Sequence, residues 1–513
     1  MALPRTLVQA RALPRPLVAS PRRAKRAMAS MADLSGNQQA HNRDEGSIAN
    51  AFTSMSKQSQ DLPTRFLTLK RELSHNNGRA ILDGWKRLLD TLAADRLADW
   101  NPQMIPEIPF SAIQTNNGQL PAEAQRALKK RGTIIIRGVV SVEQALDWKR
   151  RVRDYIHLNP STKGFPADNP QVYEIYWSKT QLEARAHAHM LTAQAALNQV
   201  WSAALGDPVD TSVPVTYCDR LRIRTPGDTS FNLGPHLDGG SLERWEDPEY
   251  RKCYEEILTG QWEDHDPFAI THRLNATVDM YHGPGGCSAF RSYQVNPPQG
   301  LEEFKSNNWT DQDSQGWLSL SDCSPGAGTL RVMPHLLSSS AYTLLRPFVH
   351  QDPQTDRWTL DDKTSTFHGA AMGAGQELLA TEHPHIYSNG FVSIPRVQPG
   401  DAVFWHCDVA HMVENQHRGT EDSSVLYIPA APLCEVNARY LKSQRESFLE
   451  GRPPPDFPGG IGERNFEERG MVDGLSDQGK RAMGCLGIEV SEKAEDGRRE
   501  AARRANEILG FDG

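Results

Sequence analysis

Between Val213 and Pro429 the chain is cut into short runs of β-branched and aromatic residues, punctuated by Pro and Gly. The clearest are Trp317-Leu318-Ser319-Leu320-Ser321, the turn and strand from Gly326 to Pro334, Ala402-Val403-Phe404-Trp405-His406, and Ser424-Val425-Leu426-Tyr427-Ile428-Pro429. Several short strands with such turns predict an all-β sandwich or barrel for this half. Tyr217 to Arg224 alternates, with Arg220, Arg222 and Arg224 on one face: a solvated edge or an anion-facing wall.

Inside this half lies Gly234-Pro235-His236-Leu237-Asp238-Gly239-Gly240. In a strand, residues i and i+2 point the same way, so His236 and Asp238 can reach one metal while Leu237 faces away. Gly239 and Gly240 permit a sharp exit and close approach. Downstream, Pro399-Gly400-Asp401 turns the chain into an apolar strand that leads to His406 and His411. These two are five apart, so on a continuous strand they face opposite ways, and spacing alone leaves the choice open. Two histidines with one carboxylate form the donor set of a non-haem Fe(II) facial triad, which leaves metal positions for a co-substrate and O₂. The plain alternative is a loop histidine capped by an aspartate.

The 513 residues suffice for one large domain or two ordinary ones. A mean hydropathy of −0.58, with no apolar run of bilayer length, points away from an integral membrane protein. A net charge of −8 offers nucleic acid no general attraction. The seven cysteines are scattered, odd in number and without a Cys-x-x-Cys pair, which argues for a reducing compartment. Residues 1–32 carry Arg5, Arg11, Arg15, Arg22, Arg23, Lys25 and Arg26, and no acid precedes Asp33. That composition suits a mitochondrial transit peptide, although Pro4, Pro14, Pro16 and Pro21 interrupt the required helix; the alternative is a disordered basic arm. The expected location is therefore cytoplasmic or mitochondrial.

Residues 1–60 read as this basic segment and a polar linker. Helical spacing runs from Leu62 to about Leu97 and from Leu182 to Leu205, where Gly206-Asp207-Pro208 stops it. A helix from Pro121 to Lys130, a strand over 133–140 and a helix capped by Ser141 form a compact unit. Residues 241–290 read as a polar insertion with helical turns, too charged for core. Residues 441–513 read as a charged helical extension, ending in a helix from Arg498 to Leu509.

Pro399 to His406, with His411 and Asn415, resembles the C-terminal iron motif of the phytanoyl-CoA dioxygenase group, within the Fe(II)/2-oxoglutarate-dependent oxygenases. Trp317 to Leu320 and Gly328 to Pro334 resemble that group's two central strands. The stretch from about 60 to 440 is similar to an uncharacterised branch of the superfamily, found in bacteria and fungi and catalogued as a domain of unknown function. The resemblance implies an α+β chain. Its core would be a double-stranded β-helix (jelly-roll, cupin-like) over 61–440, with flanking helices. It implies His411 rather than His406 as a ligand beside His236 and Asp238, with Fe(II) as cofactor and 2-oxoglutarate as co-substrate. In relatives an Arg about eleven residues after the distal His holds the 2-oxoglutarate carboxylate, where this chain has Glu421-Asp422-Ser423-Ser424. Arg418 and Arg291 are the candidate replacements, and Arg222 and Arg224 the candidates for a polar or acidic substrate. Halogenases of the superfamily replace the carboxylate ligand by a small residue, so an intact Asp238 implies hydroxylation or a related oxidation. The expected function is a dioxygenase acting on a small polar molecule with O₂. The alternatives are a non-catalytic cupin-like metal-binding sensor or interaction protein, and an iron oxygenase independent of 2-oxoglutarate.

Overall fold

Helix Ala122–Arg131 ends at Gly132, whose backbone is left-handed (φ +71°) and donates to Leu128 O. A Cβ on Gly132 would lie 2.4 Å from Val409 Cγ2, so only glycine can stop the helix this close to its neighbour. The next residues form strand Thr133–Arg137, buried through Ile134, Ile135 and Ile136. Ser141 then caps helix Val142–Leu158, its Oγ accepting from Gln144 N at 3.2 Å. This computed structural model describes residues 62–96, 100–231, 233–275, 316–371, 375–387, 390–455, 457 and 460–511. The basic N-terminus and Arg291 lie outside the described residues.

The fold is mixed α/β with two principal sheets. The larger has eight strands in the spatial order Glu107–Pro109, Thr133–Arg137, Ala402–Trp405, Gly316–Ser319, Ser423–Tyr427, Leu221–Arg224, Val172–Tyr173 and Gly164–Phe165. Its first pair is parallel and the others antiparallel. The smaller sheet runs Gln376–Glu377, His236–Leu237, His411–Val413, Leu330–Val332 and Val392–Ser393. The chain shuttles between them: Leu221–Arg224 is in the larger, His236–Leu237 in the smaller, then 316–319 larger, 330–332 and 392–393 smaller, 402–405 larger, 411–413 smaller and 423–427 larger. Ile134, Leu318, Val403 and Val425 of the larger sheet share one buried cluster with Leu330, Val332 and Val392 of the smaller.

Asp401 explains why the Gly-Asp turn matters. Its carboxylate accepts from Gln398 N (2.8 Å), Gly138 N (2.9 Å) and Arg137 Nη1 (2.6 Å), locking the turn to the end of strand Thr133–Arg137. Strand Ala402–Trp405 is thereby set in register with Thr133–Arg137, Ala402 opposite Ile136.

Three expectations need correction. The helical stretch from 62 to 97 is two helices, Arg65–Ser74 and Gly78–Arg96. The stretch from 182 to 205 is also two, Lys179–Arg185 and Ala188–Asn198, and it stops before Gly206. Ser178 caps the first of these, and Trp201 leaves the helical path to stack on His406 with ring centroids 4.8 Å apart. The described part of the 241–290 insertion is core, because its aromatics outweigh its charges: Trp245, Tyr250, Tyr254, Trp262 and Phe268 are all buried. Among the described residues no helix is long and apolar enough to cross a membrane.

Helix Glu435–Glu450 runs past residue 440, and the segment after it is pinned through one buried carboxylate. Glu463 accepts from Tyr155 Oη (2.6 Å), Tyr176 N (2.6 Å) and Trp177 N (2.9 Å). Burial pushes its pKa up, and these three donors hold it back. Glu463→Ala strands all three donors and should cost about 3 kcal/mol or more in urea unfolding. Glu463→Gln keeps the carbonyl oxygen for both backbone donors and should cost within about 1 kcal/mol.

Candidate metal centre

His236 and His411 lie directly opposite each other on neighbouring antiparallel strands, which brings both rings to one face of the smaller sheet. Asp238 follows at the end of the His236 strand. The three side chains are buried, and one ligand atom from each lies within 4.8 Å of the others. His236 Nε2 is 3.5 Å from Asp238 Oδ1, and His411 Nε2 is 3.2 Å from Asp238 Oδ2. The two rings are 4.2 Å apart, centroid to centroid.

The chemistry of the centre follows from the other ring nitrogens. His236 Nδ1 is 2.6 Å from Gly234 O, and His411 Nδ1 is 3.0 Å from Val409 O. A carbonyl oxygen only accepts, so each Nδ1 carries the proton and donates it. In a neutral imidazole that leaves a lone pair on each Nε2. Burial, and then the nearby His411 ring, push the His236 pKa down to about 4, so this ring is neutral at pH 7. The Nε2 atoms of both rings and the Asp238 carboxylate face one small volume. Two imidazoles with one carboxylate converging in this way are a donor set that suits iron. The carbonyls behind the rings play the orienting part that ligating histidines require.

The Gly239 exit is held from below by buried charge. Gly239 N donates to Cys407 O (2.8 Å), and the Tyr250 hydroxyl donates to Gly239 O. Asp408 accepts from Arg244 Nη2 (2.9 Å), Arg273 Nη2 (2.7 Å) and the Tyr254 hydroxyl (3.0 Å). A Cβ on Gly239 would sit 2.6 Å from Asp408 Oδ1 and 2.7 Å from Cys407 O. Gly239→Ala should therefore push the loop off this base, at about 1–3 kcal/mol in thermal unfolding, and weaken metal binding. Unchanged affinity and melting temperature would show that the base does not hold the loop.

His406, the rival ligand, faces elsewhere. Its Nε2 lies 3.0 Å from Pro267 O and its Nδ1 accepts from Asp408 N at 3.0 Å. Both nitrogens are thus occupied. Although His406, Cys407 and Asp408 also cluster, Asp408 is committed to its two arginines.

The candidate arginines separate. Arg418 is exposed and its Nε donates to Gln416 Oε1 (3.3 Å), away from the triad's interior. Arg224 is buried and fully engaged, with Nε on Asp228 Oδ2 (2.8 Å) and Nη1 on Glu414 O (2.7 Å). Arg222 is buried on the same strand. Asp422, at the position where the resemblance implied an arginine, is tied to Lys149 (2.8 Å) and Arg153 (2.5 Å) of helix Val142–Leu158. Sequence reasoning missed the Arg244–Asp408–Arg273 network. Asp408 lies 164 residues from Arg244, and no local signal joins them.

A two-sheet fold with a buried His-Asp-His cluster defines the class, and the comparisons give the family. The Gig2-like family model matches residues 60–296 and 313–485. The chain belongs to the Gig2-like family. It is 32% identical over 459 residues to the uncharacterized protein YbiU of Escherichia coli (strain K12), covering 85% of this chain and 99% of that protein. The crystal structure of GlcNAc Inducible Gene 2, GIG2 (DUF1479), from Candida albicans is similar at 32% identity and a TM-score of 0.76. That match covers 89% of this chain and 97% of the other. A Salmonella typhimurium LT2 structure described as a "Putative Oxidoreductase" matches at 30% identity and a TM-score of 0.65, covering 83% and 99%.

Proposed function

We propose that this chain is a non-haem Fe(II)/2-oxoglutarate-dependent dioxygenase built on a double-stranded β-helix. It would take a small polar substrate together with O₂. The observation that carries the reading is the convergence of the His236 and His411 Nε2 atoms on Asp238 between opposed strands. Alternate strands falling in opposite sheets support the double-stranded β-helix. The likeness to the phytanoyl-CoA dioxygenase group rests on strand motifs and supports the same co-substrate. The oxidoreductase description of the Salmonella relative points the same way.

His236, Asp238 and His411 would hold the iron. When bound, iron and 2-oxoglutarate supply the chemistry by which O₂ oxidises the co-substrate to succinate and CO₂ and a substrate C–H bond to an alcohol. The protein's part is binding and positioning. Gly234 O and Val409 O, bonded to the Nδ1 atoms, keep both Nε2 atoms turned inward. The buried base at Asp408 fixes the Gly239 loop, and the Trp405 ring closes one side, 5.3 Å from the His411 ring.

The test is anaerobic difference absorbance with Fe(II) and 2-oxoglutarate. A charge-transfer band that needs both additions is expected. Iron binding without the band favours a metal-binding sensor or an oxygenase independent of 2-oxoglutarate. Absence of iron binding removes the reading altogether.

A further inference from the structure

Arg222 is a buried charge that the network around it leaves without a counter-ion among the described residues. It is 3% exposed, and among the described residues it makes no ion pair and no hydrogen bond. Its Nε is buried without a hydrogen-bond partner. Its guanidinium carbon lies 5.9 Å from the Phe231 ring centroid. A buried guanidinium without a counter-ion is strongly disfavoured, so such a group implies an anion that arrives from outside the protein.

The neighbouring acids do not fill this role. Asp228 is taken by Arg224 Nε and by Ser230 N and Oγ. Glu414 accepts from Gly326 N, Gly328 N, Thr329 N and Ser393 Oγ, which ties it to a turn. The acids on this side are therefore spent on other donors.

The direction of Arg222 follows from its strand. Arg222 lies directly opposite Val172 and so shares its face, and Val172 packs with Phe231, Leu233 and Val413 rather than in the cluster of Leu221 and Ile223. Arg222 and Arg224 leave by the opposite face, and Arg224 reaches Glu414 O, one residue past the strand of His411. Phe231 packs with Leu233 and Val413. Val413 is two residues beyond His411, on the same face of its strand. Arg222 therefore projects between the sheets, toward the strand that carries His411. Its partner across the sheet is Val425, on the strand that follows His411.

We propose that Arg222 is the carboxylate anchor of this site, supplied by the strand before the triad. It would take the distal carboxylate of 2-oxoglutarate in a bidentate pair. This rests on the function proposed above. The same chemistry would serve a carboxylate on another small acid, and the experiment separates the two sources.

The experiment compares the wild-type full-length chain with Arg222→Met. Anaerobic Fe(II)-loaded protein is titrated with 2-oxoglutarate and with 2-oxopentanoate, which keeps the chelating end but carries a methyl in place of the distal carboxylate. Metal-free protein is melted with and without glutarate. The variant should lose about 100-fold in affinity for 2-oxoglutarate while binding 2-oxopentanoate within about threefold of wild type. Glutarate should raise the wild-type melting temperature and not the variant's. Without any acid, the variant should melt no lower than wild type, because an unpaired buried charge has been removed.

If Arg222→Met keeps the preference for 2-oxoglutarate, the anchor is elsewhere and the proposal falls. If it weakens both acids alike, Arg222 only shapes the site, and the proposal falls again. If wild type binds neither 2-oxo acid but glutarate stabilises it through Arg222, the oxygenase reading fails while Arg222 remains a carboxylate site for another acid. If glutarate and both 2-oxo acids leave wild type unaffected, Arg222 is not a carboxylate site.

Discussion

Asp408→Ala should cause the largest loss of stability of any single change described above. The substitution leaves Arg244 and Arg273 buried and charged, with their shared carboxylate gone. Breaking one buried pair in this way costs about 3–5 kcal/mol, and two guanidiniums lose the same partner here. Urea unfolding at pH 7 measures it, and a loss under about 1 kcal/mol would show that the network is slack. The pH dependence has a defined sign. Burial pushes the Asp408 pKa up, but Arg273 and Arg244 outweigh it and hold it well below the usual carboxylate range. A carboxylate depressed on folding contributes its full stability above its unfolded pKa, about 3.9, and loses it as pH falls through the folded value. The gap between wild type and Asp408→Ala should thus be flat from pH 8 to about 5 and narrow only below about 4. A gap that closes near neutrality would mean that Asp408 is not ionised against its arginines.

Loss of any triad residue should be equally decisive for metal. His236→Ala, Asp238→Ala and His411→Ala each remove one of three converging donors. Removing residues that merely orient ligands costs 10–100-fold in metal affinity, so removing a ligand should cost more than about 100-fold. Equilibrium dialysis against Fe(II) or Mn(II) reads this directly. His406→Ala is the internal control: it should retain the metal while losing stability, because His406 serves Pro267 O, Asp408 N and the Trp201 ring. Metal loss from His406→Ala with retention by His411→Ala would exchange the two roles.

The parts of this architecture that were legible in the sequence are those written locally. Gly132 and Ser141 mark where one helix stops and the next begins. The alternation of His236, Leu237 and Asp238 fixes which two side chains share a direction. The Gly400-Asp401 turn announces the strand that leads to His411. What stayed hidden depends on lateral register. Arg418 lies close to His411 in sequence but is exposed, whereas Arg222 is brought in by pairing with Val425. The insertion misled for a related reason: charges in a window say nothing about whether they meet partners, and Arg244 and Arg273 meet theirs far downstream. The break between Arg185 and Ala188 was invisible because Leu, Ala and Met continue the helical spacing across it.

The support beneath Gly239 also orders events in time. During synthesis, His236 and Asp238 leave the ribosome well before Cys407, Asp408 and His411, on which their placement depends. A nascent chain stopped anywhere between them carries the His-x-Asp pair without its opposing imidazole or its base. On the function proposed above, a metal held by all three side chains would be bound only after the strand of His411 has slotted in beside that of His236. Metal binding at this triad would therefore report that the smaller sheet has been completed, and products truncated before His411 should bind metal no better than His411→Ala.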